Sequence, residues 1–353
     1  MNAPLLSVEK LTKHFPVRRG LLRRVTGAVQ AVTDISFTLE AGETLAIVGE
    51  SGCGKSTAGR TILRLQEPTG GRALLNGRDI FALSPAELRT ARREMQMMFQ
   101  DPFGSLNPRM TVREVIAEPL RLHGMASGAA LDRRIDEVLT MAGLSSWHAG
   151  RYPHEFSGGQ RQRVGIARAL ATNPRLIVCD EPVSALDVSI QAQIVNLLQD
   201  LQAETGVAYV FISHDLAVVR HIATRVAVMY LGRIVEMAEA SRLFADPRHP
   251  YTRSLIAAAP RPVASGRVPQ VPLKGETASA MAPPPGCAFH PRCPFAQDRC
   301  RTDRPELRPV GDDLVACHFA ESLPPMPKET AGDESPALAR RLQVLAHARK
   351  EAA

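Results

Sequence analysis

Three short strings in this chain have residue types and spacings that could do chemistry. Gly49 to Ser56 read G-E-S-G-C-G-K-S, Ser157 to Gln160 read S-G-G-Q, and Asp180 and Glu181 close an apolar run. Glycines at 49, 52 and 54 let a backbone turn tightly and aim N–H groups at phosphate oxygens, a grip reinforced by the positive end of a following helix. Lys55 suits the β- and γ-phosphates of ATP and the Ser56 hydroxyl suits Mg²⁺, with Ser51 and Thr57 in the same nucleotide-binding set. A glycine-rich turn without a ligand is the plainer reading. The full eight-residue pattern, set between a strand and a helix, favours phosphate. Asp180 suits Mg²⁺ through water, and Glu181 suits the general base that polarises an attacking water. An acidic pair after a strand is by itself usually a helix cap, but beside a phosphate loop it reads as the hydrolytic pair.

The elements that must position these groups are legible too. Thr44 to Val48, T-L-A-I-V, is a short β-branched run before the glycine loop, and Thr57 to Leu63 continues as a helix. Leu176 to Cys179 reads as a strand buried on both faces, delivering Asp180 and Glu181 at its C-terminal end, where ligands of open parallel sheets sit. After S-G-G-Q, residues Val164, Ile166, Ala167, Leu170 and Ala171 share one helical face until Asn173-Pro174 stops the helix. A second small-residue turn therefore opens a second helix, and with it a second anion-binding N-terminus. One γ-phosphate does not need two such cradles from one chain at this separation unless another copy supplies one.

Together the strings resemble the ABC ATPase family over about residues 6 to 320, with Phe156 where Leu is commonest in the signature motif. The resemblance implies an α/β fold: a P-loop NTPase core with an inserted helical subdomain and a proline- and cysteine-containing C-terminal extension. It also implies two such domains closing head to tail, each offering Ser157, Gly158, Gly159 and Gln160 to the other's nucleotide. By the same resemblance Phe15 stacks on adenine, Gln100 touches Mg²⁺ and relays nucleotide state to membrane subunits, Asp187 lies in a dimer-contacting loop, and His214 contacts the γ-phosphate. The bland readings are a core Phe near a strand and an ordinary His after one. The stretch M-F-Q-D-P-F-G-S-L-N-P-R-M-T-V from Met98 to Val112, with G-E-S-G-C-G-K-S-T, is similar to the ATP-binding subunits of bacterial oligopeptide and dipeptide permeases, and to the second of their two ATPase chains. The implied function is ATP-driven import of peptides or related small solutes. The implied partners are a second homologous ATPase subunit or another copy of this chain, two membrane permease subunits, and a periplasmic or extracellular solute-binding protein. A soluble ABC ATPase acting on ribosomes or nucleic acid is the competing class. It normally carries two cassettes or a coiled-coil insertion; here one cassette and no heptads are found, so no nucleic-acid partner is expected. A non-hydrolysing regulatory module would need a damaged site, and the motif residues are intact.

Composition bounds the remainder. The 353 residues, 44% hydrophobic and 22% charged, suffice for one large α/β core plus a smaller domain. No run approaches the roughly 18 apolar residues of a membrane helix, and no signal peptide opens the chain, so the expectation is a peripheral protein on the cytoplasmic face of the inner membrane. The net charge of +7 is distributed and aromatics are only 5%, which offers no stacking platform for single strands and a weak hint of membrane proximity. The expected organisation is an ATPase domain over 1–245, with a helical subdomain at about 96–156 (helices at Val112–Arg121 and Asp132–Ala142), an extension over 246–322, and a flexible tail over 323–353. From Pro247 onward prolines multiply, which predicts an extended segment with little regular structure. The Arg-rich stretch Phe15 to Ala31 reads equally as a solvated basic hairpin or a contact to membrane phosphates.

Cys287, Cys293, Cys300 and Cys317 gather near the C-terminus. A cytoplasmic chain is a poor place for structural disulfides, so clustered thiols suggest metal. Their spacing, C-x5-C-x6-C-x16-C, matches neither a zinc C-x2-C pair nor the common ferredoxin spacings. It resembles the C-terminal motif G-C-x-F-x-x-R-C-P of peptide-permease ATPases, which implies a [4Fe–4S] cluster on the four thiolates. His290 and His318 leave Zn²⁺ open, and unligated buried thiols are the bland alternative. Cys53, at a helix start beside Lys55, is either a reactive thiol that ATP shields or a small side chain tolerated by tight packing.

Overall fold

A computed structural model describes residues 3–20, 24–258 and 278–326. The chain opens with strands β1 (Leu6–Arg19), β2 (Arg24–Leu39) and β3 (Thr44–Val48), then helix α1 (Lys55–Ile62). Next come β4 (Gly70–Leu75), β5 (Arg78–Asp79), α2 (Pro85–Ala91), β6 (Met95–Met98) and the single turn α3 (Pro102–Ser105). They are followed by α4 (Val112–Leu122), α5 (Gly128–Met141), α6 (Gly158–Leu170), β7 (Leu176–Asp180), α7 (Val188–Thr205) and β8 (Ala208–Ile212). The last third holds α8 (Leu216–Ile222), β9 (Arg225–Tyr230), β10 (Arg233–Glu239), α9 (Ala240–Ala245), α10 (Pro250–Ala258), α11 (Asp298–Thr302), β11 (Arg308–Val310) and β12 (Asp313–Val315).

These elements form two units. The first comprises residues up to Lys13, Val32–Ile47 and Lys55–Ser213; the second comprises His14–Ala31, Val48–Gly54 and the described residues from His214 onward. In the first unit β6, β7, β8 and β3 run parallel in that spatial order, with Met95 opposite Leu176, Leu176 opposite Ala208, and Thr44 opposite Tyr209. All residues of β3, β7 and β8 are buried, as expected of continuous apolar runs in a parallel sheet with both faces covered. Gly59 sits mid-helix in α1, where it costs about 1 kcal/mol relative to Ala. A Cβ there would press on Val178 and Ile212, so the glycine is what lets α1 lie close on β7 and β8. A second, antiparallel layer pairs β1 with β4 and β4 with β5, Leu6 facing Leu75.

The helices expected at 112–121 and 132–142 are found as α4 and α5, α4 opening on a Thr111–Glu114 capping box. The stretch from residue 96 is not free of strand at its start. β6 occupies Met95–Met98 because Met95, Met97 and Met98 bury themselves against β7. The Arg-rich stretch forms the end of β1 and the start of β2, neighbouring strands of one sheet, in keeping with a hairpin.

In the second unit β9, β10, β12 and β11 form antiparallel pairs, with Arg233 opposite Tyr230, Glu236 opposite Val315, and Val315 also opposite Arg308. This corrects the expectation of little regular structure beyond Pro247. Pro250 starts α10, where a missing N–H costs nothing, and the β11–β12 hairpin extends the sheet while Val310, Val315 and Ala320 make a small core. Pro260, Pro262, Pro269 and Pro272 lie outside the described residues, as does the tail from 327. The fully buried Glu236 accepts hydrogen bonds from the Arg248 N–H (2.6 Å) and the His249 N–H (2.9 Å), and burial raises its carboxyl pKa. Burial likewise pushes His249 down to about 3, and its Nδ1 accepts the Tyr251 N–H at 3.0 Å. Among the described residues no helix is long and apolar enough to cross a membrane.

Candidate nucleotide-binding site

In the second unit the glycine loop has a shape that only glycine permits. Gly49 has φ +153° and Gly54 has φ +107°, and a Cβ would fall on the carbonyl oxygen of Met229 in the first case and of Ala31 in the second. The Cys53 N–H donates to the Glu50 carbonyl at 3.3 Å, while the Cys53 carbonyl accepts the Gly232 N–H at 2.9 Å. Cys53 is buried, whereas Ser51 and Gly52 are exposed. Glu50 is held twice: its N–H donates to the Tyr251 hydroxyl at 2.9 Å, and its carboxylate takes both Nη atoms of Arg292 at 2.9 and 2.8 Å. Phe15 is half-buried on β1 and so is not a core residue. His214 is exposed immediately after the strand region of β8, and the following Asp215 caps α8 by accepting the Ala217 and Val218 N–H groups.

In the first unit Lys55 is buried at the start of α1 and Thr57 is half-buried. The Ser56 hydroxyl donates to Asp180 Oδ1 at 2.6 Å, and Arg60 approaches the other oxygen at 3.4 Å. Asp180 is fully buried. Glu181 has φ +47°, a left-handed conformation that costs a branched or bulky residue about 1–2 kcal/mol and that tends to persist at functional positions. Its N–H donates to Ile212 O at 3.0 Å, and its Oε2 accepts from Gln100 Nε2 at 2.9 Å. Ser56 is thus brought to Asp180, and Gln100 to Glu181. Ser157 caps α6, accepting the Gln160 N–H at 3.3 Å while its own N–H donates to Gln160 Oε1 at 3.0 Å. A Cβ at Gly158 would touch Leu186 and one at Gly159 would clash with Ile190, so the S-G-G-Q turn packs beside the loop ending in Asp187. Asp187 is exposed at the start of α7 and makes no side-chain capping bond there.

The four clustered thiols, Cys287, Cys293, Cys300 and Cys317, line one cavity of about 20 Å³ together with His290 and His318. Burial pushes Cys287 up to about 11 and Cys293 up to about 12, and neighbouring thiols add to both shifts. Among the described residues no three His, Cys, Asp or Glu side chains stand in metal-binding geometry.

Sequence reasoning missed Arg60, Tyr251 and Arg292. Arg60 and Tyr251 carry no local signal, since their partners are 120 and 201 residues away. Arg292 did: it is the arginine of G-C-x-F-x-x-R-C-P.

The ABC transporter family matches residues 32–184, and the oligopeptide/dipeptide transporter C-terminal region matches residues 235–300. The chain is 57% identical over 319 residues to the probable peptide ABC transporter ATP-binding protein y4tS of Sinorhizobium fredii, covering 90% of each. It is 52% identical to the oligopeptide transport ATP-binding protein AppF of Bacillus subtilis, covering 89% of this chain and 97% of AppF. It is 47% identical to the dipeptide transport ATP-binding protein DppF of Escherichia coli, covering 90% and 95%. Among solved structures, the post-hydrolysis dimer of the ATP-binding cassette MJ0796 with ADP and Pi superposes with a TM-score of 0.59 at 32% identity, over 67% of this chain and 98% of that one. The cbiO1 component of the Clostridium perfringens cbiONQ transporter gives 0.59 at 26% identity, over 69% and 92%.

Proposed function

Because the chain belongs to the ABC transporter ATP-binding family and carries the oligopeptide/dipeptide C-terminal region, we propose that it is the ATP-hydrolysing subunit of a bacterial peptide importer. It is an ATPase of the ABC type. One observation carries the hydrolytic reading: Ser56 hydrogen-bonds Asp180 while the next residue, Glu181, is held by Gln100.

In this reading the backbone N–H groups from Gly49 to Gly54 and the Lys55 ammonium grip the β- and γ-phosphates, and Phe15 stacks on the adenine. The oxygen donors of Ser56, Gln100 and Asp180 suit Mg²⁺, which when bound neutralises the triphosphate and the charge growing on the leaving oxygen. Glu181 accepts a proton from the attacking water, and His214 orients the γ-phosphate. Ser157, Gly158, Gly159 and Gln160, with Asp187, face the nucleotide of a second ATPase chain, homologous or identical, so that two chains close around two nucleotides. Closure reaches two membrane permease subunits through the Gln100 region, and a solute-binding protein delivers peptide from outside. The protein then works peripherally at the cytoplasmic face of the inner membrane.

The four thiols form an all-sulfur donor set, which suits either a [4Fe–4S] cluster or Zn²⁺. We read them as ligands of the cluster, a staple for the extension rather than a part of turnover; Zn²⁺ is the second reading, since His290 and His318 line the same cavity. Protein purified without oxygen is expected to be brown, with iron and sulfide in it. Colourless protein with one zinc per chain would replace the cluster by the ion.

The transport reading is tested in vesicles holding this chain with its permease subunits and partner ATPase. ATP inside is expected to drive uptake of labelled di- or oligopeptide, and Lys55→Ala is expected to abolish it. Vigorous ATP hydrolysis without peptide uptake would keep the ATPase and overturn the cargo.

A further inference from the structure

The glycine loop does not set its own shape. Glycines accept many backbone conformations almost equally, so a loop rich in them relies on outside anchors to stay in one. Residues Val48–Gly54 group with the unit that holds the C-terminal extension, not with the helix that follows them. Two anchors come from residues of that extension, and both fall on Glu50. Tyr251, fully buried on α10, accepts the Glu50 N–H. Arg292 makes a two-pronged ion pair with the Glu50 carboxylate, and its side chain is only 7% exposed, with Tyr230 and Phe289 rings about 6 Å from its guanidinium carbon. A bidentate arginine fixes direction as well as distance, which a single lysine contact does not. Arg292 is carried by a short turn in which the His290 N–H bonds the Cys287 carbonyl at 2.9 Å and the Cys293 N–H bonds the His290 carbonyl at 3.3 Å.

We propose that Arg292 is a positioning residue for ATP: through Glu50 it holds the phosphate loop in its gripping shape, so nucleotide affinity depends on the cysteine-bearing turn of the extension. The inference rests on reading residues 49–56 as the phosphate loop.

The test uses the full chain, a fluorescent ATP analogue for Kd, and steady-state hydrolysis for KM and kcat. Arg292→Ala and Glu50→Gln are each expected to raise Kd and KM about tenfold, with kcat at saturating ATP changing less than about twofold. Arg292→Lys is expected to recover only part of the affinity, because it keeps the charge and loses the fork. Exchanging the pair, Glu50→Arg with Arg292→Glu, is expected to restore affinity toward the native value. Unchanged Kd in Arg292→Ala, or equal losses in kcat and KM with no recovery on exchange, overturns the proposal. Should Arg292→Ala fail to fold, Glu50→Gln leaves the extension intact, and native affinity there overturns it as well. Lys55→Ala separates the two levels. Lost binding in Lys55→Ala beside native binding in Arg292→Ala removes the positioning role alone, whereas native binding in both removes the phosphate-loop reading itself.

Discussion

Two carboxylates in this protein meet arginines in opposite ways. Asp180, at the end of β7, is fully buried, takes the Ser56 hydroxyl at 2.6 Å, and has a single long contact of 3.4 Å from an Arg60 that is 40% exposed. Glu50, on the glycine loop, receives both prongs of an arginine that is itself buried. Each carboxylate takes two side-chain hydrogen bonds of the about four it can accept, but those at Asp180 come from two separate donors, one of them long, an arrangement that suits the exchanging ligands proposed for it. At Glu50 both bonds come from one buried guanidinium, 2.9 and 2.8 Å away, which fixes direction as well as distance, as suits a fixed support. Both carboxylates thus meet an arginine, and the difference lies in the donors: a hydroxyl and a long contact from a part-exposed arginine at Asp180, one buried two-pronged arginine at Glu50.

Several substitutions break or sharpen that contrast. The largest effect is expected on the exchanging side. Glu181→Gln removes the proposed base and should cut ATP turnover by about 10²–10⁴-fold while trapping a nucleotide-bound closed state, as read by steady-state phosphate release. Next, Ile177→Ala empties a core position of β7 that is 1% exposed, and should destabilise the fold by about 2–5 kcal/mol in chemical unfolding. An unfolding midpoint equal to wild type would show that β7 is not the core strand that carries Asp180. On the supporting side Gly54→Ala places a methyl on the Ala31 carbonyl and should weaken ATP binding about 5- to 150-fold through about 1–3 kcal/mol of backbone strain, as titrated with the fluorescent analogue. The smallest effect concerns pH. His123 at the end of α4 has its pKa lowered by burial and by Arg93 and Arg89. A folded value below the unfolded 6.5 means its contribution is present above pH 6.5 and is lost as pH falls through the folded value. His123→Asn should therefore flatten the acid side of the melting-temperature profile slightly, and an unaltered profile removes His123 from it.

The same division governs what could be read from residue order. The strand before Gly49 and the helix after Gly54, the buried run before Asp180 and the capped helix after Ser157 are each set by neighbours within about a dozen residues, and each was legible, whereas the loop's anchors on Glu50 lie far along the chain. So were α4 and α5, through spacing of apolar residues. The extension was not. Its prolines suggested an extended segment, yet α10 begins on Pro250, and the β11–β12 hairpin pairs with β10 across about 80 residues of chain. Its aromatic packing, Tyr230 with Tyr251 at 4.6 Å and Phe289 with Tyr251 at 5.3 Å, joins residues that no local period connects. The Arg292–Glu50 pair spans 242 positions, so only its place in a recognisable cysteine motif marked it beforehand.

The central claim is that the end of β7 performs hydrolysis while the extension sets the phosphate grip. Its most direct test is one paired measurement of kcat at saturating ATP and of nucleotide Kd in Glu181→Gln and Arg292→Ala. The account predicts that the first loses kcat at least about a hundredfold with Kd nearly native, and that the second loses affinity about tenfold with kcat nearly native. Loss of the same parameter in both variants, or robust turnover in Glu181→Gln, would contradict it.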